Sequence, residues 1–273
     1  MDRYAVIGNP IAHSLSPRIH TLFAKQLAQA MTYEALLAPK DDFAATVERF
    51  IQAGGRGLNV TLPFKGEAHT LADRLSDRAN QAQAVNTLQQ SETGVLYGDN
   101  TDGIGLLRDL RDHLGVEPAS RDILILGAGG AVRGILPVLL QQPPQRLVIA
   151  NRTVAKAAEL AQDFGSLATV EACGFANLAG ERFDLIINGT AASLADELPP
   201  LPGNLLMPHA LCYDMVYAAT PTAFLRWAQT QGAAQASDGL GMLIEQAAES
   251  FRLWRGLFPD TSEVRRQLRP TSR

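Results

Sequence analysis

The sequence predicts an α/β protein made of two α/β domains, and three observations point there. Short β-branched or apolar runs alternate with helix-length amphipathic stretches along the whole chain. A glycine-rich turn, Gly127-Ala128-Gly129-Gly130-Ala131, joins a strand-like run directly to a helix-like one. The chain also has 273 residues, 46% of them hydrophobic, and domains commonly run to about 100–200 residues. Two modest cores therefore fit better than one.

Taken in order, Tyr4 to Ile7 reads as a buried strand, Pro17 to Gln29 as a helix and Thr32 to Leu36 as a strand. A second helix near Phe43 to Gln52 and a strand from Gly57 to Val60 follow. The middle of the chain alternates most clearly. Asp122 to Leu126 reads as a buried parallel strand, Gly129 to Leu140 as a helix, Leu147 to Ala150 as a strand and Thr153 to Phe164 as a helix. Phe183 to Asn188 and Leu211 to Asp214 add strands, which makes a Rossmann-like doubly wound sheet the expectation for this part. From Leu240 to Leu257, Leu243, Ile244, Ala247, Phe251 and Trp254 recur at helical spacing, so this tail is expected to pack back on the first unit. The expected division is residues 1–103 plus 239–273 for one domain and 104–238 for the other, with a ligand cleft between them.

Composition narrows the function classes. Net charge is −4 and no window concentrates Lys and Arg, so nucleic acid is not an expected partner. Met1-Asp2-Arg3 leads straight into the short run Tyr4-Ala5-Val6-Ile7, far shorter than a signal-peptide core or a membrane span, and a cytoplasmic protein without membrane association is the expectation. Cys173 and Cys212 are the only cysteines and lack CxxC or Cys/His spacing, so neither a disulfide nor a metal site is expected.

The glycine turn has the strand-before, helix-after context of a dinucleotide fingerprint. Glycines let the backbone approach a pyrophosphate, and the free N–H groups and dipole of a helix N-terminus favour its charge. Val132 stands where the strict pattern has its third glycine, and a plain strand-to-helix turn is the competing explanation. The next strand ends in Asn151-Arg152-Thr153, where an NAD-binding chain usually carries an acidic residue. Asn151 removes the repulsion that a carboxylate would exert on a 2′-phosphate. Arg152 offers a forked donor and Lys156, at helical spacing, a second positive charge. Together they point to NADP.

Three more polar segments stand out: Gly8-Asn9-Pro10-Ile11-Ala12-His13-Ser14-Leu15-Ser16-Pro17, Asn59 to Lys65, and Ala84 to Leu88 followed by Gly98 to Gly103. Each has an ordinary structural explanation. Ser16 before Pro17 occupies the place of a helix N-cap, Lys65 could be a surface lysine, and the small polar residues suit turns.

Taken together, GNPIAHSLSP, NVTLPFK, AVNTL, GDNTDG, GAGGA, NRT, YDMVY and SDGLGML, in this order over nearly the whole chain, closely resemble shikimate dehydrogenase. The resemblance implies reversible NADPH-linked reduction of 3-dehydroshikimate to shikimate, in the chorismate branch of aromatic amino-acid biosynthesis, by a monomer or homodimer. It implies that Ser14 and Ser16 bind the substrate carboxylate, that Thr61, Asn86, Tyr217 and Gln246 line the substrate, and that Lys65 and Asp102 are the catalytic pair. On the NADP side it implies Asp77, Gly127, Ala128, Gly129, Gly130, Ala131, Asn151, Arg152, Thr153, Lys156, Met215 and Gly239.

Lys156 stands where the family often has arginine, which reduces a fork to a point charge. Ser193, in Asn188-Gly189-Thr190-Ala191-Ala192-Ser193-Leu194, stands where relatives tend to have glycine, so this loop is expected to hold Ser193 in a backbone conformation that glycine reaches more easily. Two alternatives remain at this point. One is a quinate/shikimate dehydrogenase relative that uses NAD; the other is a non-catalytic sensor of cofactor or shikimate.

Overall fold

The computed structural model describes residues 1–269. It divides into two compact units, Met1–Leu106 with Leu243 onward, and Leu107–Met242. The crossings at 106/107 and 242/243 fall inside helices rather than in loops. No turn or linker composition marks them, which is why a reading of the sequence sets the divisions a few residues earlier.

The first unit opens with β1 (Asp2–Gly8), α1 (Ser16–Gln26), β2 (Met31–Leu37), α2 (Phe43–Gln52) and β3 (Gly55–Val60). There follow α3 (Lys65–Leu71), β4 (Arg74–Leu75), α4 (Asp77–Ala82), β5 (Thr87–Gln90), β6 (Leu96–Asp99) and α5 (Asp102–Arg108). Its six-stranded sheet has the order β2-β1-β3-β5-β6-β4. Strands β2, β1 and β3 are parallel, whereas β5 is antiparallel to both β3 and β6, so this sheet is mixed. The hairpin β5/β6 escaped the sequence pattern because Thr87-Leu88-Gln89-Gln90 is short and has one apolar residue. Ile7, Leu58, Val60, Phe64, Val85 and Leu88 form its buried core.

The second unit contains β7 (Asp122–Leu126), α6 (Gly130–Leu139), β8 (Arg146–Ala150), α7 (Val154–Phe164) and β9 (Glu171–Cys173). It continues with β10 (Phe183–Asn188), a short 3₁₀ turn (Ala191–Ala195), β11 (Leu206–Asp214), α8 (Ala223–Thr230) and β12 (Gln235–Asp238). All six strands are parallel, in the order β12-β11-β10-β7-β8-β9. This is the doubly wound order, two three-stranded halves that part between β7 and β10. In such sheets ligands bind beyond the carboxyl ends of the strands at that switch point. Leu124, Leu126, Val148, Ile186, Cys212 and Phe224 pack into its core. Burial pushes the Cys212 thiol up to about 12, so it is a protonated apolar side chain.

Helix α9 (Leu240–Arg255) and helix α10 (Thr261–Leu268) complete the chain. In the first unit the α9 ring of Trp254 stacks on Tyr4 at 4.7 Å and its Nε1 donates to the Leu88 carbonyl. Gly57 makes that approach possible, since a Cβ there would lie 2.5 Å from the indole nitrogen. No helix among the described residues is long and apolar enough to cross a membrane.

Candidate active site

In the first unit, strand pairing gathers the polar segments at one sheet edge. Strands β1 and β3 are parallel, with Ile7 opposite Val60, so the stretches that follow them leave from the same edge. Antiparallel β5 begins at Thr87, opposite both Asn59 and Asp99, which brings Asn86 and the Asn100–Asp102 turn to that edge as well. Gly8 has a packing reason: a Cβ there would lie 2.5 Å from the Thr61 methyl. The Asn9 N–H then donates to the Leu62 carbonyl at 3.0 Å, tying the two exits together.

Lys65 starts α3 and Asp102 starts α5. Lys65 Nζ donates to Asp102 Oδ2 at 2.5 Å, with the lysine side chain 19% and the aspartate 8% exposed. A pair this screened from water is electrostatically stronger than a surface pair, and it needs its remaining hydrogen-bonding capacity met. Asn86 meets it: its Nδ2 donates to Asp102 Oδ1 at 2.8 Å, and also lies within reach of Thr101 Oγ1 and Gln246 Oε1. Asn86 Oδ1 in turn accepts from the Thr101 N–H at 2.8 Å. Asn86, Thr101 and Gln246 are buried. Lys65, Asn86, Asp102 and Gln246 therefore form one hydrogen-bonded cluster, with Thr61 at the turn four residues before Lys65.

Sequence reading missed the layer behind this cluster. Asn59 Nδ2 donates to Ser250 Oγ at 2.9 Å, and Ser250 also meets Thr87 and Thr101. Tyr33 donates to Asn59 Oδ1 at 2.7 Å, and burial raises the phenol well above its ordinary range, so it stays a donor. Asp99 is gripped by both nitrogens of a bidentate Arg78, at 2.7 Å each, and by the Ser76 hydroxyl. Thr101 and Asp99 were visible in the sequence as part of GDNTDG. Ser250, on a helix read as an apolar stripe, carried no signal.

Ser16 is not the N-cap that its place before Pro17 suggests. Leu15 is the N-cap and makes no side-chain bond; Ser16 is the first helical residue, buried, and its N–H donates to Ser14 Oγ at 3.2 Å. The serines thus differ, Ser14 holding the helix start and Ser16 lying beneath it. Asp77 is exposed at the first turn of α4, in the first unit.

In the second unit, β7 runs into Gly127, whose φ of +101° is one that side chains rarely adopt. A Cβ at Gly129 or Gly130 would meet nothing within 4 Å, so the start of α6 presents bare backbone to open space. That is a cradle of the kind a pyrophosphate fills. Val132, where the usual third glycine is missing, is fully buried, and its Cγ2 lies 2.5 Å from where a Gly189 Cβ would be. The small residue that lets helix and sheet approach has moved across to the end of β10.

At the end of β8, Asn151 Nδ2 donates to the Thr153 carbonyl at 2.9 Å, shaping the turn. The exposed side chains of Arg152 and Lys156 pair with no carboxylate among the described residues. Their charge is available to a ligand, as a 2′-phosphate would require. Gly239 is needed as glycine because a Cβ there would lie 2.2 Å from the Met215 carbonyl oxygen. Tyr217 lies in this unit, two residues beyond Met215. Among the described residues no group of three or more His, Cys, Asp or Glu could hold a metal ion.

Ser193 does not take the glycine-like backbone conformation expected of it. Ser193 is not among the residues with positive φ; it sits inside the short 3₁₀ turn, where any residue is at ease. What marks it is its hydroxyl, which is buried and bonded to Asp214.

A doubly wound sheet with a glycine cradle and exposed cations beside it, in a chain that also carries a shielded lysine–carboxylate pair, defines a dinucleotide-dependent oxidoreductase. Comparison with known proteins makes this particular. Residues 6–88 match the shikimate dehydrogenase substrate binding domain, 111–195 the shikimate / quinate 5-dehydrogenase model, and 239–269 the shikimate 5'-dehydrogenase C-terminal domain. The chain is 60% identical over 263 residues, covering 96% of it and 94% of the relative, to the shikimate dehydrogenase (NADP(+)) of Methylococcus capsulatus. Among solved structures, an Ael1 enzyme from Pseudomonas putida is 48% identical with a TM-score of 0.92, covering 98% of each chain. Shikimate 5-dehydrogenase from Thermus thermophilus in complex with NADP(H) and shikimate is 36% identical with a TM-score of 0.86, covering 96% of each chain. The chain belongs to the shikimate dehydrogenase family.

Proposed function

We propose that this protein catalyses the reversible NADPH-linked reduction of 3-dehydroshikimate to shikimate. The observation that carries the reading is the Lys65–Asp102 pair, closed at 2.5 Å and held by Asn86, which also donates to Gln246. Reducing a ketone requires hydride at carbon and a proton at oxygen. Bound NADPH supplies the hydride. Lys65 Nζ gives the carbonyl oxygen its proton in that direction, or takes it from the hydroxyl in the other, and stabilises negative charge developing on that oxygen. Asp102 holds the ammonium in one position and balances its charge, while Asn86 fixes Asp102. Thr61, Asn86, Tyr217 and Gln246 supply hydrogen bonds to the substrate hydroxyls, and Ser14 with Ser16 takes its carboxylate.

On the coenzyme side, Gly127, Ala128, Gly129, Gly130 and Ala131 hold the pyrophosphate, and Arg152 with Lys156 grips the 2′-phosphate beside Asn151 and Thr153. Asp77, Met215 and Gly239 complete that set. The absence of a carboxylate at Asn151 supports NADP over NAD. The test is turnover of purified protein with shikimate or quinate, each paired with NADP+ or NAD+. Shikimate with NADP+ is expected to give the highest kcat/KM of the four. A higher value for quinate or for NAD+ would favour the quinate/shikimate relative, and no turnover with any pair would leave a non-catalytic sensor.

A further inference from the structure

Beyond the residues assigned above, the second unit contains a buried knot that joins the ends of two strands. Asp214, the last residue of β11, is fully buried, and no Lys or Arg pairs with it among the described residues. Its charge is met by dipoles alone. Ser193 and Thr222 donate their hydroxyls to Oδ2 at 2.6 Å each, and Asn188 Nδ2 and the Val216 N–H donate to Oδ1 at 3.3 and 3.1 Å. Asn188 also donates to Ser193 Oγ at 3.0 Å, closing a ring. Burial pushes the Asp214 carboxyl above its ordinary range while these donors pull it back, so each donor matters to keeping it ionised.

The position of the knot gives it a consequence. Asn188 ends β10 and is followed by Gly189, whose carbonyl carbon and oxygen lie 3.2 Å from where a Gly127 Cβ would be. Asp214 is followed by Met215, whose sulfur lies 3.1 Å from a Gly189 Cβ position and whose carbonyl abuts Gly239. One carboxylate therefore sets the spacing of the turns after β10 and β11. Both turns belong to the half-sheet β10-β11-β12, the half of a doubly wound sheet opposite the one that carries the glycine cradle and Arg152. Such sheets are built from two mononucleotide-binding halves, so the adenosine end lies over one and the nicotinamide end over the other.

We propose that Ser193, acting through Asp214, is a positioning residue for the nicotinamide half of the coenzyme. This rests on the reading that the second unit binds NADP. Without the Ser193 hydroxyl the two turns have more than one arrangement, and the coenzyme must select the competent one. Apparent affinity then falls by the fraction in which that arrangement is populated.

The test is equilibrium binding of NADP+ and of adenosine 2′,5′-bisphosphate, which lacks the nicotinamide half, to wild type, Ser193→Ala, Ser193→Thr and Asp214→Asn, with thermal unfolding alongside. Ser193→Ala is expected to bind NADP+ roughly tenfold more weakly and the bisphosphate within about twofold of wild type, with Ser193→Thr recovering most of the loss. Asp214→Asn, which keeps the shape and removes the charge, is expected to show the same split. Unchanged NADP+ affinity in Ser193→Ala and Asp214→Asn, or parallel weakening of both ligands, overturns the proposal. Wild-type protein that binds neither ligand overturns the dinucleotide reading beneath it.

Discussion

The two units build their sites from different materials. In the first, the functional groups are side chains already hydrogen-bonded to one another: Lys65 to Asp102, Asp102 to Asn86, Asn86 to Gln246. In the second, the site is mostly backbone and space: a left-handed Gly127, open positions at Gly129 and Gly130, and the side chains of Arg152 and Lys156, which pair with no carboxylate among the described residues. Proton transfer needs groups held within hydrogen-bond reach before the substrate arrives, so preorganisation serves it. A dinucleotide brings its own charges, and a site that leaves donors unspent gains most from binding them.

That contrast can be broken in order of expected effect. Asp102→Asn is the most severe: removing the charge that holds Lys65 should lower kcat by roughly 10²–10⁴-fold while NADP+ affinity stays within about twofold, measured by initial rates and equilibrium binding. Comparable losses in kcat and coenzyme affinity would mean that the two functions are not divided between the units. Next, Arg152→Ala should raise the KM for NADP+ about tenfold, near 1.4 kcal/mol, and leave the KM for NAD+ unchanged. An equal rise for both coenzymes would remove the 2′-phosphate role.

The smallest effect concerns the scaffold of the first unit. His20 is fully buried, stacked 4.1 Å from Tyr33 with Trp254 nearby, and burial lowers it to about 3. Its folded value lies below its unfolded one of 6.5, so between these limits the unfolded chain binds the extra proton and stability falls as pH falls. From pH 6.5 to 5.5 wild type should lose about 1 kcal/mol more than His20→Phe in denaturant unfolding. Identical pH slopes for the two proteins would contradict this.

The same division explains what the sequence discloses. The doubly wound sheet is legible because its strands are apolar runs separated by helices, and the turns at Gly127 and Asn151 state their chemistry in residue types. The first sheet is harder, since β5 and β6 are short and polar and β4 has two residues. Lys65 and Asp102 are 37 positions apart, and only the antiparallel register of β5 with β3 and β6 brings them together, so only the resemblance to a family could pair them. Asn59 and Asp214 stand inside the motifs NVTLPFK and YDMVY, but their partners are distant in sequence, and Ser250 carries no local pattern. Ser193 shows the reverse error: its position suggested a backbone problem, and the structure has instead a buried hydroxyl that donates to Asp214.

Lys65→Ala removes the proposed proton carrier itself, and its turnover of shikimate and its NADP+ affinity are measured on the same preparation. The expected result is a kcat about a thousandfold below wild type with NADP+ binding unchanged. Near-normal turnover in that variant would contradict it.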